Sequence, residues 1–193
     1  VTNKLKVEIH NLKNFSVKEK EKFILAMSEL ERVANSQEFK QAILNHRFDD
    51  QTNGLTNQEL YNHFMSGKTK FNDMSDQDID VSLTLYYSWK NTIGYTYPST
   101  WFTWLNRKFF QKFNSAKIAM NVTHEDRHNA GYGHRTASDH DSVPYAFGYI
   151  MRDLINGIVP PISYTNRGSS VPVNSRPRRS RWSRFKSWVR GIF

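Results

Sequence analysis

Apolar residues recur along this chain at two periods, and the switches between them predict its elements. Residues 4–10 alternate through Leu5, Val7 and Ile9, the two-residue period of a strand. The period then lengthens. Phe23, Met27 and Leu30 fall on one face of a helix that the capping-box pattern "SVKE", Ser16–Glu19, opens and that runs to about Asn35. A shorter helix is predicted from Ser36 to about Asn45, and "TNQE" at Thr56–Glu59 opens another that runs to about Ser66.

Between these helices, residues 49–55, "DDQTNGL", read as a turn. A calcium loop is the other reading of that string, but Leu60 stands where its closing bidentate Glu belongs. Asp73, Asp76, Asp78 and Asp80 are expected to form an acidic, solvated loop. "DIDVSLTLYYS" alternates through Ile79, Val81, Leu83, Leu85 and Tyr87 and predicts a strand. "TIGYTYPST" and "WFTWLNRKFF" are aromatic and β-rich, broken by Gly94 and Pro98; they are two strands, or an irregular wall followed by one. Trp101 and Trp104 are expected to pack in the core or at its rim. Asn114 or Ser115 caps a helix through "AKIAMNVTHEDRHNA" that stops at Gly131. A last helix, "SVPYAFGYIMRDLI", is capped by Ser142, with Pro144 tolerated in its first turn.

Length and composition narrow the class. A chain of 193 residues holds one sizeable core, expected over residues 1–159, with 160–193 as linker and tail. A hydrophobic content of 38% and 14% aromatics fit a globular protein and exclude a disordered one. No apolar run approaches the roughly 18 residues of a membrane span, and the first residues lack the apolar centre of a signal peptide. The chain does not begin with Met, so export stays open beside a cytoplasmic or virion-associated location. Cysteine is absent, which excludes disulfides, thiolate metal sites and cysteine nucleophiles. Any metal must be held by His, Asp or Glu.

The net charge of +9 is unevenly placed. All 18 acidic residues lie in residues 1–153, against 19 basic ones, so the body is nearly neutral. Residues 154–193 carry the other eight basic groups. Within "RPRRSRWSRFKSWVRGIF", Trp182, Phe185, Val189 and Ile192 recur at helical spacing among the arginines. Such a basic amphipathic segment suits an anionic membrane surface, a nucleic acid or an acidic protein partner.

The chemistry concentrates in "THEDRHNAGYGH", Thr123–His134. On a helix, His124 and His128 project from one face a turn apart, the reach at which two imidazoles grip one ion. Ile118, Ala119 and Val122 supply an apolar side to bury that helix. Glu125 projects beside the pair, placed to orient a water and take its proton. Gly131 ends the helix in the left-handed conformation that glycine adopts cheaply, and His134 returns from the loop as a third ligand. Three neutral imidazoles leave Zn²⁺ its full charge and one open position. His140, between Asp139 and Asp141, is a rival third ligand without the glycine-set turn; His10, His46 and His63 stand apart.

The string His-Glu-x-x-His-x-x-Gly-x-x-His resembles the signature of the metzincin clan of zinc endopeptidases. Five specified residues at fixed spacing arise by chance in so short a chain less than about once in ten thousand. The resemblance implies His124, His128 and His134 as zinc ligands, Glu125 as general base and acid, and Gly131 as the turn glycine. It covers about residues 114–150. "GYTYP" and "SVPYAFGY" are similar to stretches of small metzincin-like proteins from bacteria and their phages. The clan's methionine turn has its counterpart in "SVPY", Ser142–Tyr145, where Pro144 takes the methionine slot, so the floor of the site is expected to merge into the last helix.

The implied fold is α+β: a zincin-like small mixed sheet packed on an active-site helix, with N-terminal helices and a C-terminal helix. The implied activity is zinc-dependent hydrolysis of a protein or peptide substrate. Tyr145 is a candidate to stabilise the oxyanion or to act as a labile fifth ligand, and Tyr132 is a second candidate. The substrate is expected to lie along an edge strand, formed by residues 92–97 or 81–87. The rival reading is a catalytically silent zinc protein, such as a component of a phage particle, docking through its basic tail. Hydrolysis of a cell-wall component is a third.

Overall fold

The computed structural model of the protein describes residues 4–69, 76–96, 102–136 and 139–159. In chain order the elements are β1 (Lys6–Lys13), α1 (Val17–Ala34), α2 (Gln37–Asn45), α3 (Asn57–Met65), β2 (Asp78–Tyr86), β3 (Gly94–Thr96), β4 (Phe102–Asn106), α4 (Arg107–Phe110), α5 (Ser115–Asn129) and α6 (Val143–Ile155). The class is α+β, with a small mixed sheet. Asp73, Trp101 and the basic tail lie outside the described residues. Among the described residues no helix is long and apolar enough to cross a membrane.

The sheet runs β1-β2-β4-β3. β1, β2 and β4 are parallel, and β3 closes one edge antiparallel to β4. A parallel pair needs a long crossover, and α1, α2 and α3 supply it between β1 and β2. The alternation on β2 places Ile79, Val81, Leu83 and Leu85 at 5% exposure or less. They join one apolar cluster with Phe23, Leu30, Phe39, Phe64, Ile118, Val122 and Phe147, so sheet and helices share a core. Phe147 of α6 lies near its centre, its ring 5.4 Å from Phe64, 5.9 Å from Phe48 and 6.1 Å from Phe39.

Local chemistry sets the helix starts. Ser16 and Glu19 bond each other's backbone N–H groups at the head of α1, and Thr56 and Glu59 do the same for α3. Ser36 caps α2 and Asn114 caps α5 through their side-chain oxygens. Residues 49–55 form a turn, with Asn53 and Gly54 at positive φ.

Four expectations are corrected. β1 extends to Lys13, because a bulge between Ile9 and Asn11 resets the pairing. The inward phase moves from odd residues to Leu12, opposite Leu83, and the simple alternation ends there. Asp78 and Asp80 belong to β2 and not to a loop, since their backbone continues the ladder to β1 opposite Lys6 and Glu8. Among the described residues of "WFTWLNRKFF" only Phe102–Asn106 is strand; the Asn106 side chain accepts from the Lys108 N–H and turns the next four residues helical. Ser142 occupies the N-cap of α6 but makes no capping bond. Its hydroxyl donates to the Asp139 carbonyl instead, and Pro144 has no N–H to offer.

α6 crosses α5 at close range, and Gly148 permits it. A Cβ at position 148 would stand 2.9 Å from the Met120 carbonyl oxygen and 3.5 Å from the His124 Cβ. The crossing therefore fixes the turn of α5 that carries His124.

Candidate metal centre

Helix α5 is held by its apolar side, where Ile118 and Ala119 are fully buried and Val122 nearly so. That burial turns His124 and His128 to a common side, with their Nε2 atoms 3.1 Å apart. Two nitrogens bound at about 2.0–2.1 Å to a tetrahedral ion stand about 3.3–3.4 Å apart, so the pair is close to gripping distance. The helix then ends in a Schellman turn. The N–H of Gly131, at φ +101°, donates to the His128 carbonyl, and the N–H of Tyr132 donates to the Arg127 carbonyl. This reversal brings back His134, whose ring centroid lies 5.4 Å from that of His124 and 4.9 Å from that of His128. One ligand nitrogen from each of the three histidines falls within 4.8 Å of the others, a group that could hold a metal ion.

The donor set suits a cation. The Tyr132 carbonyl can only accept, so His128 donates to it through Nδ1–H at 2.9 Å, and its Nε2 keeps a lone pair facing the shared point. His124 bonds the backbone of Pro144, which has only a carbonyl to offer. Desolvation, then the neighbouring His128 and His134, hold the His124 imidazole well below the usual histidine range. Burial and His128 lower His134 as well. Neutral imidazoles with orienting partners on the far side are what a metal requires of its ligands.

Glu125 lies beside the pair. Burial raises its carboxyl, opposed by His128 and by a hydrogen bond from the Thr96 side chain. Thr96 ends β3, and its hydroxyl also bonds that of Thr103 on β4 at 3.0 Å. The glutamate is thereby tied to the sheet edge. Of the two stretches proposed as a substrate edge, β2 is interior to the sheet and β3 is at its margin. Tyr145, in the first turn of α6, places its ring 4.5 Å from His124 and 4.8 Å from His134. Burial, then the carboxylates of Glu125 and Asp139, push its phenol up to about 12, so it stays protonated and able to donate.

The other histidines go elsewhere. His140 bonds the Tyr149 hydroxyl through Nδ1 at 3.2 Å and meets the Tyr145 ring edge-on, outside the three-histidine group. His46 packs on Phe48 near Asp141. His10 bonds Asp80 through Nε2 at 2.5 Å, with Glu8 alongside, a second and largely exposed group of potential metal ligands on the sheet. His63 bonds the Tyr132 hydroxyl at 2.6 Å, so Tyr132 is engaged in packing and not aimed at a reacting centre. Thr96, His63 and the Pro144 carbonyl were not legible as site residues. Their partners are distant in sequence or contact only backbone, and no spacing signals that. No protein-family model, curated protein or solved structure matches this chain.

Proposed function

We propose that this protein is a zinc-dependent endopeptidase of metzincin type, with a zincin-like arrangement of sheet and active-site helix. The observation that carries this reading is the convergence of three imidazoles, His124, His128 and His134, with the Glu125 carboxyl held beside them. These three side chains would hold the ion, and when bound it supplies a Lewis acid that polarises a carbonyl and acidifies water. Glu125 takes a proton from the attacking water and returns it to the leaving amine; Thr96 fixes the direction of its carboxyl. The Tyr145 phenol, its ring beside His124 and His134, donates to the developing oxyanion. An extended peptide lies along β3, borrowing main-chain hydrogen bonds.

Retention of a base favours catalysis, because a purely structural zinc site needs none. Pro144 in the methionine slot favours the second reading, a silent zinc protein, such as a component of a phage particle, that docks on an anionic partner through its basic tail. Digestion of a peptide library separates the two. Under the proposal, Glu125→Gln retains the metal and loses cleavage by about 10²–10⁴-fold. Stoichiometric zinc without cleavage by either the wild type or the variant supports the silent protein.

A further inference from the structure

We infer that Tyr132 and His63 form an anchor behind the metal ligands that sets where the return loop delivers His128 and His134. This rests on the metal-centre reading above. Tyr132 stands between the second and third histidines in sequence and is 3% exposed. It is held at three points. Its N–H donates to the Arg127 carbonyl at 3.0 Å, its carbonyl accepts from His128 Nδ1 at 2.9 Å, and its hydroxyl bonds His63 Nδ1 at 2.6 Å. The first two come from its own helix end. The third comes from α3, which has no other part in the site.

α3 grips the end of α5 with consecutive residues. Phe64, fully buried, lies against the Arg127 guanidinium, 4.8 Å from ring centroid to Cζ, and Phe147 meets the same group at 5.7 Å. Arg127 is itself fully buried and paired with Asp126. The adjacent His63 then fixes the phenol of Tyr132. Further along, the loop is held at Arg135, whose N–H donates to the Asp139 carboxylate and whose side chain pairs with Asp50; around Tyr132 itself, Gly131 and Gly133 supply no side chain, and a Cβ at position 133 would meet only one side-chain atom, at 3.7 Å. Displacing Tyr132 moves the carbonyl that orients His128 and the path by which His134 returns. His63 and Tyr132 are thus positioning residues, and their effect falls on the ligand geometry.

The test is metal affinity, read by competition with a chromophoric chelator for Zn²⁺, and the visible spectrum of the Co²⁺-loaded protein. Four full-length chains are compared: wild type, Tyr132→Phe, His63→Ala and His63→Asn. Tyr132→Phe keeps the ring and the backbone carbonyl and removes only the hydroxyl, so it carries the test if His63→Ala fails to fold. Asn at position 63 places an amide group near the site of Nδ1. The expected result is a loss of about 10–100-fold in Zn²⁺ affinity, with altered Co²⁺ bands, in Tyr132→Phe and His63→Ala. Most of that loss is restored in His63→Asn. Equal affinity and identical spectra in wild type, Tyr132→Phe and His63→Ala would overturn the anchor alone. A wild-type chain that takes up neither ion would overturn the metal centre, and the anchor with it.

Discussion

At the scale of single residues, orientation is set by groups that the ligand spacing does not reveal. His124 and His128 are aimed by two backbone carbonyls, of Pro144 and Tyr132, and Glu125 by a threonine on the sheet edge. Charge crowding acts at the start of β2. Burial, then Asp76, Asp80 and Glu8, raise the Asp78 carboxyl from 3.8 to about 6. The folded chain therefore holds that proton more tightly than the unfolded one. Stability falls as pH rises from about 4 to about 6 and stays lower above that window. Asp78→Asn removes this slope and stabilises the protein at pH 7. Solvent screening limits the gain to about 1 kcal/mol, or about 2–4 °C in Tm. Thermal melts of both chains from pH 3.5 to 7.5 check this, and parallel pH profiles would count against the crowding.

At the scale of elements, the crossing of α6 over α5 is the joint on which the site stands. Gly148→Ala puts a methyl group 2.9 Å from the Met120 carbonyl oxygen, where backbone must give. The expected cost is about 1–3 kcal/mol by urea unfolding, with weaker metal uptake because the displaced turn carries His124. Unchanged stability and metal binding would show that the close approach is not needed. The helices were legible beforehand because caps and periodicity are local: Ser16 with Glu19, Thr56 with Glu59, and the stop at Gly131 all act within one or two turns. The bulge in β1 and the helical turn after Asn106 were not, since each depends on a neighbouring strand or on one side chain's choice of partner. In the same way the three histidines and Glu125 could be read from spacing, whereas the grip of α3 on Tyr132 spans 69 residues and leaves no periodic trace.

At the scale of the whole molecule, a nearly neutral body is joined to a strongly basic end. The seven basic groups from Arg176 to Arg190, interleaved with Trp182, Phe185 and Trp188, are proposed to carry contact with an anionic surface. Removal of residues 175–193 is expected to abolish binding to anionic vesicles and to DNA fragments at low salt while leaving metal content unchanged. Equal binding by the full and shortened chains would place that contact elsewhere. The proposed activity belongs to the body, where α5, the edge strand β3 and the first turn of α6 meet around three imidazoles. Metal analysis of the purified full-length protein and of His128→Ala tests this most directly. The account predicts about one zinc ion per wild-type chain and loss of that ion in the variant. A wild-type protein that carries no stoichiometric metal, or a His128→Ala chain that retains it, would contradict it.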